Sequence, residues 1–217
     1  MTYNLQVCHG LKPWHTLHQT LSMEFQENRF YHIYNRGNNK QLIFYNDDNY
    51  VFFLKKVRKF IYPVCDIINY CLMPNHFHFL IFANEKTILQ KKIGSLEKNV
   101  LSEAFRNTLS SYSQAINKQN NTTGSLFQQN TKAKCLNDGS INYTSTCFYY
   151  IHQNPYKSGL TKFLEDWDYS SFKDYAGFRN GTLCNKQLAF ELLDLNSSDF
   201  YKESYLAVDE NVLKKTF

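Results

Sequence analysis

The 217-residue chain has no Cys-x-x-Cys pair; its six cysteines, Cys8, Cys65, Cys71, Cys135, Cys147 and Cys184, are scattered. That spacing excludes a zinc ribbon and a dense disulfide framework, and reads as reduced, buried thiols of a cytoplasmic protein. No stretch approaches the ~20 apolar residues of a membrane span. Residues 1–24 lack the basic start and apolar core of a signal peptide. The chain also lacks an internal repeat, a low-complexity tract and any His-Glu-x-x-His, so the placed general base of a zinc hydrolase is missing. Charge of one sign is modest: a net +5 permits a polyanionic partner without demanding one. A soluble intracellular protein of one main domain remains.

What is present is apolar and aromatic. An apolar share of 43% with 16 Tyr and 18 Phe argues for a folded globule, and means that no single aromatic residue is informative by frequency. Residues 29–35 are aromatic and β-branched and read as a strand stopped at Arg36-Gly37-Asn38-Asn39. Asn46-Asp47-Asp48 offers helix caps, and Phe53, Leu54, Val57, Phe60 and Ile61 then form a core-facing helical stripe opposite Lys55, Lys56, Arg58 and Lys59. Strands are predicted over 64–71 and 76–82, helices over 87–101, 103–118 and 141–154, and an extended segment over 125–136. Pro155 marks the expected end of the third of these helices. The order implies an α+β fold, a ferredoxin-like sandwich whose antiparallel sheet is covered by helices on one side. Residues 1–25 read as an N-terminal extension, 26–180 as the main domain and 181–217 as an appended helical segment.

The stretch most loaded with chemistry is Met73-Pro74-Asn75-His76-Phe77-His78. Side chains alternate faces along a strand, so His76 and His78 point one way while Phe77 and Phe79 point the other. Two imidazoles side by side are poor core material and a good start for a divalent-metal site. A second segment is Tyr149-Tyr150-Ile151-His152-Gln153-Asn154-Pro155. Residues four apart share a helix face, so Tyr150 projects with Asn154 and Tyr149 with Gln153. Geometry alone does not choose between the pairs.

His76-Phe77-His78 after Met-Pro-Asn resembles the HUH motif of the single-tyrosine transposases, closest to the REP-associated tyrosine transposases. Supporting marks are Tyr34-Asn35-Arg36-Gly37, Gly124-Ser125-Leu126-Phe127-Gln128 and the run Trp167 to Gly177, so that the resemblance spans residues 29–177. It implies that Tyr150 is the nucleophile, that Asn154 joins His76 and His78 at Mg2+ or Mn2+, and that Tyr149 is structural, packing against the sheet. The Tyr-x-x-x-Gln arrangement of the insertion-sequence branch would instead select Tyr149 and Gln153. The resemblance further implies cleavage and rejoining of single-stranded or hairpin DNA through a 5′-phosphotyrosine, by a monomer or homodimer. Arg36, Lys132, Lys134 and Lys157 are the candidate DNA contacts. The family's arginine after Phe-Gln is absent here, where Gln129-Asn130-Thr131 stands instead. Two other readings stay open: a catalytically silent palindrome-binding protein, and a zinc hydrolase built from His76, His78 and a cysteine.

Overall fold

The apolar and β-branched runs become strands and the capped stripes become helices. The computed structural model describes residues 24–136 and 141–206. The expected N-terminal extension, apart from residues 24 and 25, and the last eleven residues, 207–217, lie outside the described residues. In chain order the elements are β1 (Arg29–Arg36), α1 (Asp47–Phe60), β2 (Asp66–Met73), β3 (His76–Ala83), β4 (Gln90–Ile93), β5 (Leu96–Asn99), α2 (Val100–Asn120), β6 (Lys132–Cys135), α3 (Ile141–Lys157), α4 (Phe172–Tyr175), α5 (Lys186–Leu193) and α6 (Phe200–Glu203). Asn46 caps α1, its side chain accepting from the Asn49 N–H at 3.1 Å.

Four strands make one sheet in the order β2-β3-β1-β6, every neighbouring pair antiparallel. With α1 between β1 and β2 and α2 before β6, this is the ferredoxin-like βαββαβ arrangement. One face carries Phe77 and Phe79. Phe53 of α1 meets Phe77 at 5.4 Å and Phe105 of α2 meets Phe79 at 6.1 Å between ring centroids, so these two helices cover that face. The opposite face is covered too. Asn69 of β2 donates to the Phe148 carbonyl of α3 at 2.8 Å, and Tyr150 of α3 sits over β3. The expectation of helices on one side is therefore corrected. Cys71 and Leu80, on the histidine face, are as fully buried as Phe77 and Phe79, and that apolar contribution requires its own cover.

Two further expectations change. Of the helix expected over 87–101 only residues 100 and 101 are helical, as the start of α2; before them β4 and β5 pair as a hairpin from Gln90↔Asn99 to Ile93↔Leu96, turning at Gly94-Ser95. Gly94 has φ +62°, a conformation its missing Cβ permits and a helix forbids. Asn99 then caps a single α2, accepting from Ser102 N–H at 3.1 Å. Pro155 lies inside α3 rather than at its end. Its missing N–H removes one hydrogen bond in the last turn, and the helix closes at Gly159 (φ +73°), where Leu160 N–H reaches the Pro155 carbonyl at 3.0 Å.

The described part of the C-terminal segment packs on the same core. Phe200 is 1% exposed and its ring lies 5.6 to 6.1 Å from those of Tyr175, Phe172 and Phe148. Trp167 and Tyr169 are packing residues: the Trp167 indole donates to the Leu72 carbonyl at 3.0 Å and Tyr169 stacks on Tyr50 at 3.8 Å.

Candidate active site

The site begins at the two-residue turn Pro74-Asn75 between β2 and β3, where Met73 and His76 are the closing pair. The segment after β1 holds this turn from outside. Ile43 and Phe44 donate to the Pro74 carbonyl at 2.8 and 3.1 Å, and Gly37 N–H donates to the Asn75 carbonyl at 2.8 Å. A Cβ on Gly37 would stand 2.2 Å from the Gln41 carbonyl oxygen, so only glycine lets the chain fold back tightly enough to make that bond.

Residues directly opposite in the ladder share a face. Arg36 and Tyr34 oppose His76 and His78; Lys132 and Lys134 oppose Tyr34 and His32; Cys71 opposes His78. One side of the sheet thus collects His32, His76 and His78 together with three cations. The His76 and His78 rings are 5.0 Å apart and nearly perpendicular. Nδ1 of His76 donates to Asn75 Oδ1 at 2.6 Å, and Nδ1 of His78 lies 2.8 Å from His32 Nε2.

Helix α3 completes the set from above the same face. The Tyr150 ring meets His78 edge-on at 5.9 Å. The Asn154 side chain lies close enough to His76 and Tyr150 to influence the titration of both, and its Nδ2 donates to the Tyr150 carbonyl at 3.0 Å. The pair left open by helical geometry faces elsewhere. Tyr149 donates its hydroxyl to Glu203 at 2.6 Å, and Gln153 Nε2 donates to the Ser204 and Leu206 carbonyls at 2.9 and 2.8 Å. Tyr149 therefore packs on the C-terminal segment rather than on the sheet. Adjacent helical residues point ~100° apart, and the Phe200 contact takes Tyr149 away.

Of the candidate DNA contacts, Arg36 and Lys132 are exposed on the histidine face. Lys134 is half-buried with its ammonium 5.5 Å from the Tyr143 ring centre. Lys157 is exposed seven residues after Tyr150, two turns further on the same helix face. Gln129 and Asn130 are exposed, and Thr131 Oγ1 accepts from Asn35 at 3.0 Å, so these three residues bring no charge to this segment. Sequence reasoning missed His32. Its signal was its register: it alternates with Tyr34 and Arg36 on β1 and so had to share their face.

Burial depresses the His76 imidazole, opposed in part by Asn154, and holds His78 well below the usual range, helped by His32 and His76. Both rings are neutral at pH 7, as ligands must be. Burial pushes the Tyr150 phenol up to about 12, with Asn154 pulling the other way. Among the described residues no three His, Cys, Asp or Glu side chains form a metal cage. The donor set that does converge is two neutral imidazoles and an amide. Cys71 lies on this face, but burial raises its thiol and Sγ points to Met73 Sδ at 3.8 Å, which disfavours the zinc-thiolate reading.

Acid should unfold the protein through its histidines. Burial lowers His32 and His152 to about 3 and His78 well below 6.5. The unfolded chain then binds more protons below pH 6.5, so stability is full above that value and falls as pH drops toward 3. Each such histidine costs up to about 1.4 kcal/mol per pH unit in that window. Urea midpoints are expected to hold from pH 8 to 7 and fall steeply from 6.5 to 4.5; a flat profile would show that these rings protonate without penalty.

No protein-family model matches the chain, and no curated protein matches it. Among solved structures it is similar to a REP-associated tyrosine transposase bound to a REP hairpin: TM-score 0.54, 14% identity, covering 73% of this chain and 86% of that one. At that identity the likeness is one of fold, and the chain has the fold of a REP-associated tyrosine transposase.

Proposed function

We propose that this protein cleaves and rejoins single strands of DNA, presented as hairpins, through covalent attack by Tyr150. The observation that carries the reading is the choice made by α3: Tyr150 and Asn154 are turned onto the His-x-His strand, and Tyr149 and Gln153 away from it. The solved structure of similar fold holds a REP hairpin, which supports the substrate class. His76, His78 and Asn154 would hold Mg2+ or Mn2+, with Nδ2 of Asn154 taken by a carbonyl and Oδ1 left as its ligand atom. When bound, such an ion polarises the scissile phosphate.

Tyr150 Oη forms the bond to phosphorus, the bond to the 3′-oxygen breaks, and the phenol's proton ends on that oxygen. The products are a 5′-phosphotyrosyl enzyme and a free 3′-hydroxyl. Because the phosphodiester energy stays in the tyrosyl bond, attack by a 3′-hydroxyl reverses the step without ATP. The buried phenol stays protonated at neutral pH until substrate arrives. Arg36, Lys132, Lys134 and Lys157 would position the backbone through phosphate contacts. The histidines and Tyr150 meet within one chain.

The test is incubation with hairpins drawn from the gene's own flanking DNA, carrying single-stranded arms, in Mn2+. A protein–DNA adduct that survives denaturing electrophoresis is expected, and EDTA is expected to prevent it. Hairpin binding with no adduct under any metal condition would leave the silent palindrome-binding reading in its place.

A further inference from the structure

We infer that His32 is a positioning residue: its Nε2 accepts the Nδ1 hydrogen of His78 and so leaves Nε2 of His78 as an unprotonated ligand atom. The inference rests on the metal reading above and concerns a residue outside the ligand set.

The two rings are 2.8 Å apart nitrogen to nitrogen, with centroids 5.0 Å apart and planes 17° from parallel. That separation belongs to rings meeting edge to edge through one nitrogen each, not to rings stacked face on face, so the hydrogen bond lies in both ring planes, along the lone-pair direction. His32 is fully buried, and Tyr34 stacks on it at 4.9 Å, which fixes the plane of the acceptor. A bond between two neutral imidazoles carries one hydrogen. If His32 supplied it, the hydrogen of His78 would sit on Nε2, and the ring would have no lone pair for a cation. If His78 supplies it, Nε2 is bare.

His76 offers the internal comparison. Its Nδ1 is held at 2.6 Å by Asn75 Oδ1, an atom that only accepts, so its tautomer is set the same way. Each member of the His-x-His pair is thus held through Nδ1 by a side chain from a neighbouring position, and each is left with Nε2 as its ligand atom. Partners of this kind orient metal-binding histidines and raise their basicity. An oxygen acceptor serves His76 at the open end of the strand. His78 lies deeper, and a histidine from β1, two ladder pairs further in, supplies the acceptor there.

The test reads the tautomer directly and the metal separately. Long-range proton–nitrogen spectra of the metal-free protein at pH 7.5 are expected to show His78 protonated on Nδ1 only. His32→Phe, which keeps a ring and loses the acceptor, is expected to populate the Nε2–H form and to weaken Mn2+ binding by about 10- to 100-fold. His32→Gln, whose amide oxygen accepts a hydrogen bond, is expected to restore both the tautomer and Mn2+ affinity to within a few-fold of wild type. A role in packing alone predicts the opposite order, since phenylalanine preserves the aromatic stack with Tyr34. An Nε2–H tautomer in the wild-type protein would overturn the inference, as would equal Mn2+ affinity in wild type and His32→Phe. Absence of Mn2+ binding to the wild-type protein would overturn the metal reading itself, while the spectra still decide how His32 and His78 share their hydrogen.

Discussion

Tyr150→Phe is expected to abolish the covalent protein–DNA adduct, by at least about 10³-fold in rate, and to leave hairpin affinity within about twofold. The change removes one oxygen and almost no volume, and the ring keeps its edge-on contact with His78. Tyr149→Phe is the matched control on the same helix. Its hydroxyl donates to Glu203 on the far side of α3, so the variant should cleave normally and lose about 0.5–1.5 kcal/mol of stability, the worth of one hydrogen bond. Denaturing gels with a labelled hairpin measure the first effect and urea titration the second. An inactive Tyr149→Phe would mean that α3 rotates when DNA binds and that Gln153 replaces Asn154 beside the histidines. Cleavage by both variants would end the covalent mechanism in favour of water as nucleophile.

The parts of this arrangement that alternation and helical spacing control were legible in advance. His76 and His78 share a face because strand side chains repeat every two residues, and Tyr150 pairs with Asn154 because helix faces repeat near four. Three things were not legible, each for a physical reason. The direction α3 faces depends on what covers its other side, and the cover is Phe200 and Glu203, fifty residues downstream. The contact between His32 and His78 is set by strand order, and β1 lying between β3 and β6 is a tertiary choice that local pattern does not encode. The β4–β5 hairpin rests on a left-handed Gly94 in a stretch whose remaining residues tolerate a helix. Lys132 and Lys134 were named from their neighbourhood in sequence, and only pairing of β6 with β1 brings them to the histidine face.

Phe200→Ala is expected to cost about 3–5 kcal/mol, the usual penalty for emptying a buried aromatic site, and to lower the melting temperature by about 10 °C. Phe200 fills a cluster made by Phe148 of α3 and by Phe172 and Tyr175 of α4, and those rings are themselves too enclosed to collapse into the space left. The loss should reach the nucleophile. Phe200 anchors α6, and α6 with the residues after it supplies the partners of Tyr149 and Gln153. Without that anchor the outer face of α3 is held less firmly, and Tyr150 on its inner face is held only by what it touches there. Adduct formation by Phe200→Ala should therefore fall more steeply on warming than that of the wild-type protein, while at low temperature the two should run close together. The same reasoning bears on where the domain ends. If residues 181–217 were a removable appendage, a chain stopped at residue 180 would melt like the full protein. With Phe200 inside the core, the shortened chain should instead be largely unfolded, and a cooperative wild-type-like melt from it would show that the contacts of Phe200 contribute little.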